Sequence, residues 1–430
     1  MTDVRPFRGV RFDPSVVGDW GAVLGPPYDI ITDEQAAALR RRHPNQIQHI
    51  ESATGEAGTA AAAQIFADWR GSGVLVQEAA PAYYLAEHHF SHEGTDYSRT
   101  CLYAAVRLTP WDAREVFAHE WTMPGPKEER MRLRKTVRAD VSPLMALVPD
   151  RSGTIAGILA GAKSEEPTVT GTDYAEERHT LRLLSDPAQV EALHSALAAD
   201  KVYMADGHHR YEAALAYRDE RAAEAGSRWT GEEPENFVLM GLIVAGDPGL
   251  LLGGTHRVLH VPAPADTLAR LGQVFDVQDV GSRRTGLDAA YLLQGMRSVR
   301  NDGPTIGVVG LEGDRLHLLL SGESTRAAMP DTVPASWSAL DAALLQYAVL
   351  EPIFGVTDSA LRAGQAVTYT HDGAAAWAEV FDGSAGASFF LNPPSLDQIF
   401  SAADAGDRMP QKSTYFTPKL PTGLVLHAFD

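Results

Sequence analysis

The densest run of chemistry-bearing side chains is Ala205-Asp206-Gly207-His208-His209-Arg210-Tyr211. Gly207 permits a tight turn and lets a ligand approach the main chain. Arg210 offers a bidentate fork to a phosphate. His208 and His209 add donors, or a general base near neutral pH. Asp206 is suited to hold Mg2+, to orient a histidine or to take a proton from a hydroxyl. The run lies between KVYMAD, apolar enough for a buried strand, and RYEAALAYRDERAAEAG, a helical pattern that closes on Gly226. That order puts Gly207–Arg210 at a helix N-terminus, where outward N–H groups favour an anion. The spacing therefore predicts a phosphate site, with a plain helix-capping turn as the structural alternative.

Three other groups carry suitable residue types. In His119-Glu120-Trp121-Thr122-Met123-Pro124-Gly125-Pro126-Lys127-Glu128-Glu129-Arg130, Glu120 is a candidate base toward a hydroxyl. His119 is a candidate substrate contact, and Lys127 and Arg130 are placed to steady charge on a transferred phosphoryl group. The same residues also suit an amphipathic helix with ion pairs. Lys412-Ser413-Thr414, with Lys419, invites a P-loop reading that fails. A P-loop has Gly directly before the Lys and a helix after it, whereas here Gln411 precedes and Pro418 follows four residues after Thr414. Two lysines and two hydroxyls remain as a wall for an anion. In Pro26-Pro27-Tyr28-Asp29, Tyr28 could stack on a base and Asp29 could bind Mg2+ or an amine; two prolines also make a good turn. His256-Arg257, inside a strand-like run, reads as an inter-strand polar pair. Other histidines, among them His43, His49 and the His88-His89 pair, read as structural rather than metal-ligating.

These groups need elements to position them. Apolar alternation and helical periods interleave along the chain, which argues mixed α and β. AYYLAEHHF and SRTCLYAAVRL flank HEGTD and predict a β-hairpin. PLMALV, ERHTLRLL and FVLMGLIVA read as strands, and GTIAGILAGA and DPAQVEALHSALAAD as helices, the second opened by Asp186-Pro187. Later come helices over 264–271, 287–297, 340–350 and 396–405, and strands near 367–370 and 388–391. The polar tail MPQKSTYFTPKLPTGLV shows no regular pattern. A domain boundary is expected near 245, giving regions 1–245 and 246–430.

Composition excludes several function classes. The chain has 430 residues, 44% hydrophobic, so a large core is available and global disorder is excluded. Lys+Arg total 37 and Asp+Glu 56, a formal charge of −19, which suits no nucleic acid, since polyanion affinity rests on basic residues. The single Cys101 rules out an intrachain disulfide and a cysteine-based zinc site. It lies in a strand pattern, as a small buried hydrophobe would. The start MTDVRPFRGVRFDP has no signal-peptide pattern and no stretch reaches membrane-span length. The expectation is a cytoplasmic chain with no membrane partner, and a homodimer is compatible with it.

Asp-Gly-His-His-Arg after a strand and before a helix resembles the phosphate motif of the ParB/sulfiredoxin-like fold, which includes nucleotidases, sulfiredoxin and free-serine kinases using ATP or ADP. Sulfiredoxin chemistry needs a cysteine at this loop, where the chain has histidine. Over nearly its whole length the chain resembles the uncharacterised family called domain of unknown function 1015. The matching stretches are Val4-Arg5-Pro6-Phe7, Pro26–Asp29, His119-Glu120 with Thr122, Gly125–Glu128, Arg130, ADGHHRYEAAL, Thr255-His256-Arg257, and Met409–Phe416 with Pro418-Lys419 and Gly423. The resemblances imply an α+β fold of mixed sheets, with a ParB/sulfiredoxin-like core and a second α+β region. They imply a nucleotide-dependent phosphotransferase acting on a small hydroxyl metabolite, free L-serine being the best single choice, with Mg2+ and ATP or ADP. The rival readings are a phosphoester hydrolase and a non-catalytic nucleotide sensor. In the kinase reading Asp206, His209 and Glu120 are catalytic, with Mg2+ on Asp206. Gly207, His208, Arg210, Lys412, Ser413 and Thr414 hold the nucleotide, and Tyr28, Asp29, His119, Lys127, Arg130 and Lys419 the substrate. Arg210, expected to be partly exposed, should be replaceable by Ala without unfolding.

Overall fold

The computed structural model describes residues 2–120, 124–300, 303–362, 364 and 366–429. They form a mixed α+β structure with several sheets, divided into two compact units. The first unit draws on Met1–Ala118, Thr122–Leu251 and Pro418–Asp430, the second on His119–Trp121 and Leu252–Thr417.

The first unit is built on a nine-stranded sheet. Its strands are β1 (Val4–Arg5), β2 (Tyr83–His92), β3 (Thr95–Arg107), β4 (Val116–Phe117), β5 (Leu144–Val148), β6 (Val169–Thr172), β7 (Arg178–Leu184), β8 (Val202–Asp206) and β9 (Phe237–Val244). Their order is β4-β8-β5-β9-β3-β2-β7-β6, with β1 paired to β3. Only β4/β8 and β5/β9 are parallel. β5 is buried at every position and β9 at all but its last, and their unbroken apolar runs suit strands covered on both faces. The β2–β3 hairpin turns on Glu93-Gly94 alone, with φ 49° and 76°. Both residues are left-handed, as a two-residue hairpin loop requires, so the strands reach further into HEGTD than the sequence implied.

The helices that accompany this sheet include α1 (Gly55–Gly71), α2 (Pro124–Val137), α3 (Thr154–Ala162), α4 (Pro187–Ala198) and α5 (His208–Ala225). Asp186 caps α4 by accepting the Gln189 N–H at 2.9 Å, with Pro187 in the first turn. Leu193 and Leu197 of α4, Tyr211 and Ala214 of α5, Met204 of β8 and Met240 of β9 share one core. That packing fixes the β8–α5 junction. The C-terminal segment, expected to be polar and without regular pattern, is nonetheless packed. Leu420, Leu424, Val425, Leu426, Ala428 and Phe429 are all buried, and His427–Ala428 pairs with Ala139–Asp140.

The second unit holds a six-stranded antiparallel sheet of β10 (His256–Leu259), β11 (Asp276–Ser282), β12 (Thr305–Val309), β13 (Arg315–Leu320), β14 (Val367–Thr370) and β15 (Ala387–Leu391), in the order β11-β13-β12-β15-β10-β14. Leu292 and Met296 of α6 (Ala289–Val299) and Ala376 of α7 (Gly373–Phe381) pack on Val258, Leu316 and Phe390. Residues of the alternate register, among them Leu259, Ile306 and Phe389, pack on Leu344, Leu345 and Val349. α8 covers Leu396–Ala405, as its pattern predicted. The helix expected over 340–350 forms and runs on to Phe354, but as one α-turn, Asp341–Leu344, a wide π-turn, Leu345–Leu350, and a last α-turn, Glu351–Phe354. Pro352 in the turn that follows lacks an N–H, and its ring clashes with the carbonyl four residues back, so the preceding turn opens. No helix among the described residues is long and apolar enough to cross a membrane.

Candidate functional site

Asp206 ends β8, and Gly207, at φ 93°, turns the chain into α5. A Cβ on Gly207 would meet Leu144 Cδ2 at 2.7 Å, so both the left-handed backbone and the close approach need glycine here. Asp206 Oδ1 accepts from the Lys419 ammonium, and Oδ2 accepts from Arg210 Nη2 at 3.0 Å. Burial pushes the Asp206 carboxyl upward, but Lys419 and Arg210 outweigh it and hold the group below the usual carboxylate range. Arg210 also donates to Pro143 O at 2.7 Å and Ser142 Oγ at 3.2 Å. Burial works against its charge, and Asp29, Asp206 and Glu51 more than compensate.

The network continues through Ser142, which donates to Glu51 Oε1 at 3.0 Å. Glu51 is wholly buried beside Arg130, with Arg130 Nη1 at 3.6 Å from Oε1. Arg130 also donates to the Glu51 carbonyl at 3.1 Å, and its guanidinium lies over the Tyr28 ring at 3.9 Å. Burial raises the Glu51 carboxyl against the pull of Arg130, Arg210 and Ser142. Its Oε2 has no hydrogen-bond partner among the described residues. Burial likewise raises Tyr28. Residues scattered between 28 and 419 therefore meet in one ionic cluster within the first unit: Tyr28, Asp29, Arg130, Asp206, Arg210 and Lys419.

Other expected members of this group sit differently. His208 is buried with its ring 6.4 Å from Trp111, so it presents its backbone rather than its imidazole at the start of α5. His209 is half-buried on the same turn. Lys127 pairs with Glu212 at 3.5 Å, two residues past Arg210 and so on a different face of α5. Arg210, expected to be partly exposed, is only slightly so. Only 10% of its side chain is exposed, and it braces Pro143 and Asp206.

His119, Glu120, Lys412, Ser413 and Thr414 form a cluster in the second unit. His119 is fully buried. Its Nε2 lies 2.9 Å from Thr414 Oγ1, and Thr414 donates to Glu120 Oε1 at 3.1 Å. Met409 N donates to the His119 carbonyl at 2.7 Å. Ser413 donates to Pro410 O at 2.5 Å, while Lys412 is exposed in a left-handed backbone at φ 57°. Arg257 donates to the Gln411 and Lys412 carbonyls, each at 3.1 Å, and to Thr255 O. His256 accepts from Leu391 N at 3.2 Å across the β10–β15 pair. Trp121, Thr122 and Met123 lie outside the described residues.

Sequence reasoning missed Glu51 and Ser142, which belong to no motif and follow no period. It also missed a carboxylate–histidine group on β2 and β7. His88 Nε2 lies 2.6 Å from Glu177, and His88 stacks on His179, which pairs with Asp173 at 2.9 Å. Candidate ligand atoms of His88, Glu177 and His179 lie within 4.8 Å of one another. The two rings are only 25° from parallel and Arg99 Nη2 lies 3.3 Å from His88 Nδ1, an arrangement that suits a buried charge network better than a cation. Burial, with His179 and Arg99, pushes His88 down to about 2. Cys101 is buried and its thiol is pushed up to about 12 by burial, which makes it an inert core residue.

Among solved structures the chain is similar to a free serine kinase in complex with AMP, at 9% identity and TM-score 0.34, over 75% of this chain and 92% of that one. It is similar to a conserved hypothetical protein from Pyrococcus furiosus at 10% identity and TM-score 0.33, over 75% and 95%. It is also similar to SbnI with C-terminal truncation from Staphylococcus aureus at 10% identity and TM-score 0.34, over 74% and 85%. Likenesses this distant assign no ligand or residue role. No curated protein matches the chain. The family described as "Protein of unknown function (DUF1015)" matches residues 4–343, which takes in the Asp206–Arg210 turn, Glu51 and Arg130 but not the Met409–Phe416 stretch. With that match spanning well over half its length, the chain belongs to the DUF1015 family.

Proposed function

We propose that the first unit is the phosphate-handling part of a nucleotide-dependent phosphotransferase that acts on a small hydroxyl metabolite. The observation that carries this reading is the β8–α5 junction. Two cations, Arg210 and Lys419, converge on one carboxylate beside a glycine turn at a helix start. Phosphate oxygens of ATP or ADP would take the backbone N–H groups at the start of α5 and compete with Asp206 for Arg210 and Lys419. Exchange of those partners frees the Asp206 carboxylate. Held ionised, it is a fitting ligand for a Mg2+ that arrives with the phosphates, since Mg2+ is usually held by one or two carboxylates plus phosphate oxygens. When bound, that ion would neutralise charge on the transferred phosphoryl group.

In this scheme the acceptor oxygen forms a bond to the terminal phosphorus and the bond from that phosphorus to the nucleotide oxygen breaks. The hydroxyl proton passes to His209, half-buried on the same turn. Arg210 and Lys419 then carry the charge that spreads over the moving group. Glu51 is a positioning residue, holding Arg130 directly and Arg210 through Ser142. Tyr28, on the Arg130 guanidinium, is placed to stack on a base, with Asp29 beside it.

The test is turnover of ATP or ADP with Mg2+, with and without a pool of hydroxy compounds, free L-serine first, read by mass spectrometry of phosphorylated products. A product that needs the acceptor and is lost in Asp206→Asn is expected. Nucleotide consumption without an acceptor would replace this reading with a hydrolase. Binding without turnover would replace it with a sensor.

A further inference from the structure

The second unit contains a cavity of about 260 Å³, several times the roughly 30 Å³ that one water occupies in the liquid. Two stretches singled out in the sequence meet at its wall: Thr255 and Arg257 from the Thr-His-Arg run, and Ser413 from the Lys-Ser-Thr run. Its remaining polar wall includes Arg300, Asp341 and Asn392.

The charged walls are unusual in their partners. Arg257 is 5% exposed, yet its recorded hydrogen bonds go to neutral carbonyls, of Thr255, Gln411 and Lys412. Both Nη2 hydrogens and one Nη1 hydrogen are so used, which leaves Nε–H and one Nη1–H. No carboxylate lies within ion-pair distance of Arg257 among the described residues, and burial pushes its guanidinium down to about 10. Its guanidinium lies 4.8 Å from the Tyr369 ring centre, and Glu120 acts on it only from beyond ion-pair distance. An anion in the cavity would supply the close counter-charge a buried cation needs. Asp341 shows the converse. Its Oδ2 accepts from Asn392 N and Nδ2 at 3.0 and 3.1 Å, and no cation pairs with it among the described residues. Burial pushes its carboxyl up to about 6, outweighing the Asn392 hydrogen bonds and the pull of Arg300 from beyond ion-pair distance.

From these two walls we infer that the cavity is a binding site for a small zwitterion, its carboxylate on the Arg257 side and its ammonium on Asp341. One ligand of this class supplies both missing counter-charges at once. A simple anion satisfies only Arg257 and a simple amine only Asp341. The site lies wholly within the second unit and does not rest on the phosphate reading.

The test is calorimetric titration of the full chain with glycine, β-alanine and 4-aminobutyrate, a series that increases the charge separation, alongside acetate and ethylamine. One zwitterion should bind at least tenfold more tightly than acetate or ethylamine, and its affinity should fall at least tenfold in Asp341→Asn. Asp206→Asn, in the first unit, should bind it as the wild type does. Because Asp341→Asn also removes a buried carboxylate, its fold is checked by circular dichroism, and Arg257→Gln, checked in the same way, serves as a second variant, expected to weaken the carboxylate end. The inference is overturned if no zwitterion binds at concentrations up to 10 mM. Equal binding by acetate, or unchanged binding in both Asp341→Asn and Arg257→Gln, would overturn it too.

Discussion

In the first unit Arg210 and Lys419 face a carboxylate; in the second, Arg257 faces backbone carbonyls. A carboxylate is exchangeable for another anion, so the first arrangement can trade an internal partner for a phosphate. Carbonyls are fixed by the chain, and the Arg257 contacts instead secure the Gln411–Lys412 turn, where Lys412 adopts a left-handed backbone. The carboxyls differ in the same sense. Asp206 is held down by two paired cations, whereas Asp341 is pushed up by burial that Asn392 and the unpaired Arg300 do not offset. Similar residue types thus serve different ends: in the first unit a ligand must displace an internal ionic partner, whereas in the second Arg257 spends part of its guanidinium on holding a turn and keeps the rest for the cavity.

The largest effect is expected from Asp206→Asn. It leaves Arg210 and Lys419 without their counter-charge, and stability should drop by about 3 kcal/mol, the scale for breaking a buried pair. Urea denaturation checks this; a loss below about 1 kcal/mol would mean that the pair is solvated and that the contrast with Arg257 fails.

Arg257→Met should cost about 2–3 kcal/mol, because three carbonyls lose a donor. Limited proteolysis should then cut within residues 409–415, and a protease-resistant variant would show that the turn holds without its clamp.

Gly207→Ala should destabilise by about 1–3 kcal/mol, from the left-handed backbone and the Leu144 contact. Thermal unfolding measures it, and an unchanged midpoint would mean that the turn can relax.

Acid titration sharpens the comparison, because the two carboxyls move stability in opposite directions. Asp206 has a lowered folded-state value, so its pairing contributes above about pH 4, the ordinary carboxylate value, and is lost as pH falls through the folded-state value. Asp341, raised to about 6, favours the fold most below about pH 4 and loses that contribution as pH rises through about 6. The stability deficit of Asp206→Asn should therefore shrink on acidification, and that of Asp341→Asn should shrink between pH 4 and 7. Parallel pH profiles for the two variants would remove the distinction.

The smallest effect is expected from Thr414→Val, about 1 kcal/mol for its contacts with His119 and Glu120. Amide hydrogen exchange at Met409, which donates to the His119 carbonyl, should quicken, and unchanged exchange would place the cluster outside the support of that turn.

Local signals located the elements well. The apolar runs of β5 and β9, the Asp186-Pro187 start of α4 and the α8 pattern all correspond to elements within a few residues. Each is set by short-range pattern, where burial on both faces or a cap leaves its mark in adjacent residues. Boundaries failed where a neighbour's geometry decided. The hairpin turn shrank to Glu93-Gly94, and Pro352 opened the turn before it. The C-terminal tail reads as polar because lysines, prolines and threonines punctuate it, yet its apolar residues are packed.

By itself the sequence determined the strand–glycine–helix junction at Asp206-Gly207, the mixed α+β class and the family, because each is written in contiguous residues. Only the tertiary structure decided that Lys419 pairs with Asp206, that Ser142 and Glu51 link Arg210 to Arg130, and that His208 turns inward. Those contacts join residues up to 213 positions apart. Which charges meet across such a span depends on how the sheet and helices pack, and a buried charge is admitted only where that packing delivers its partner.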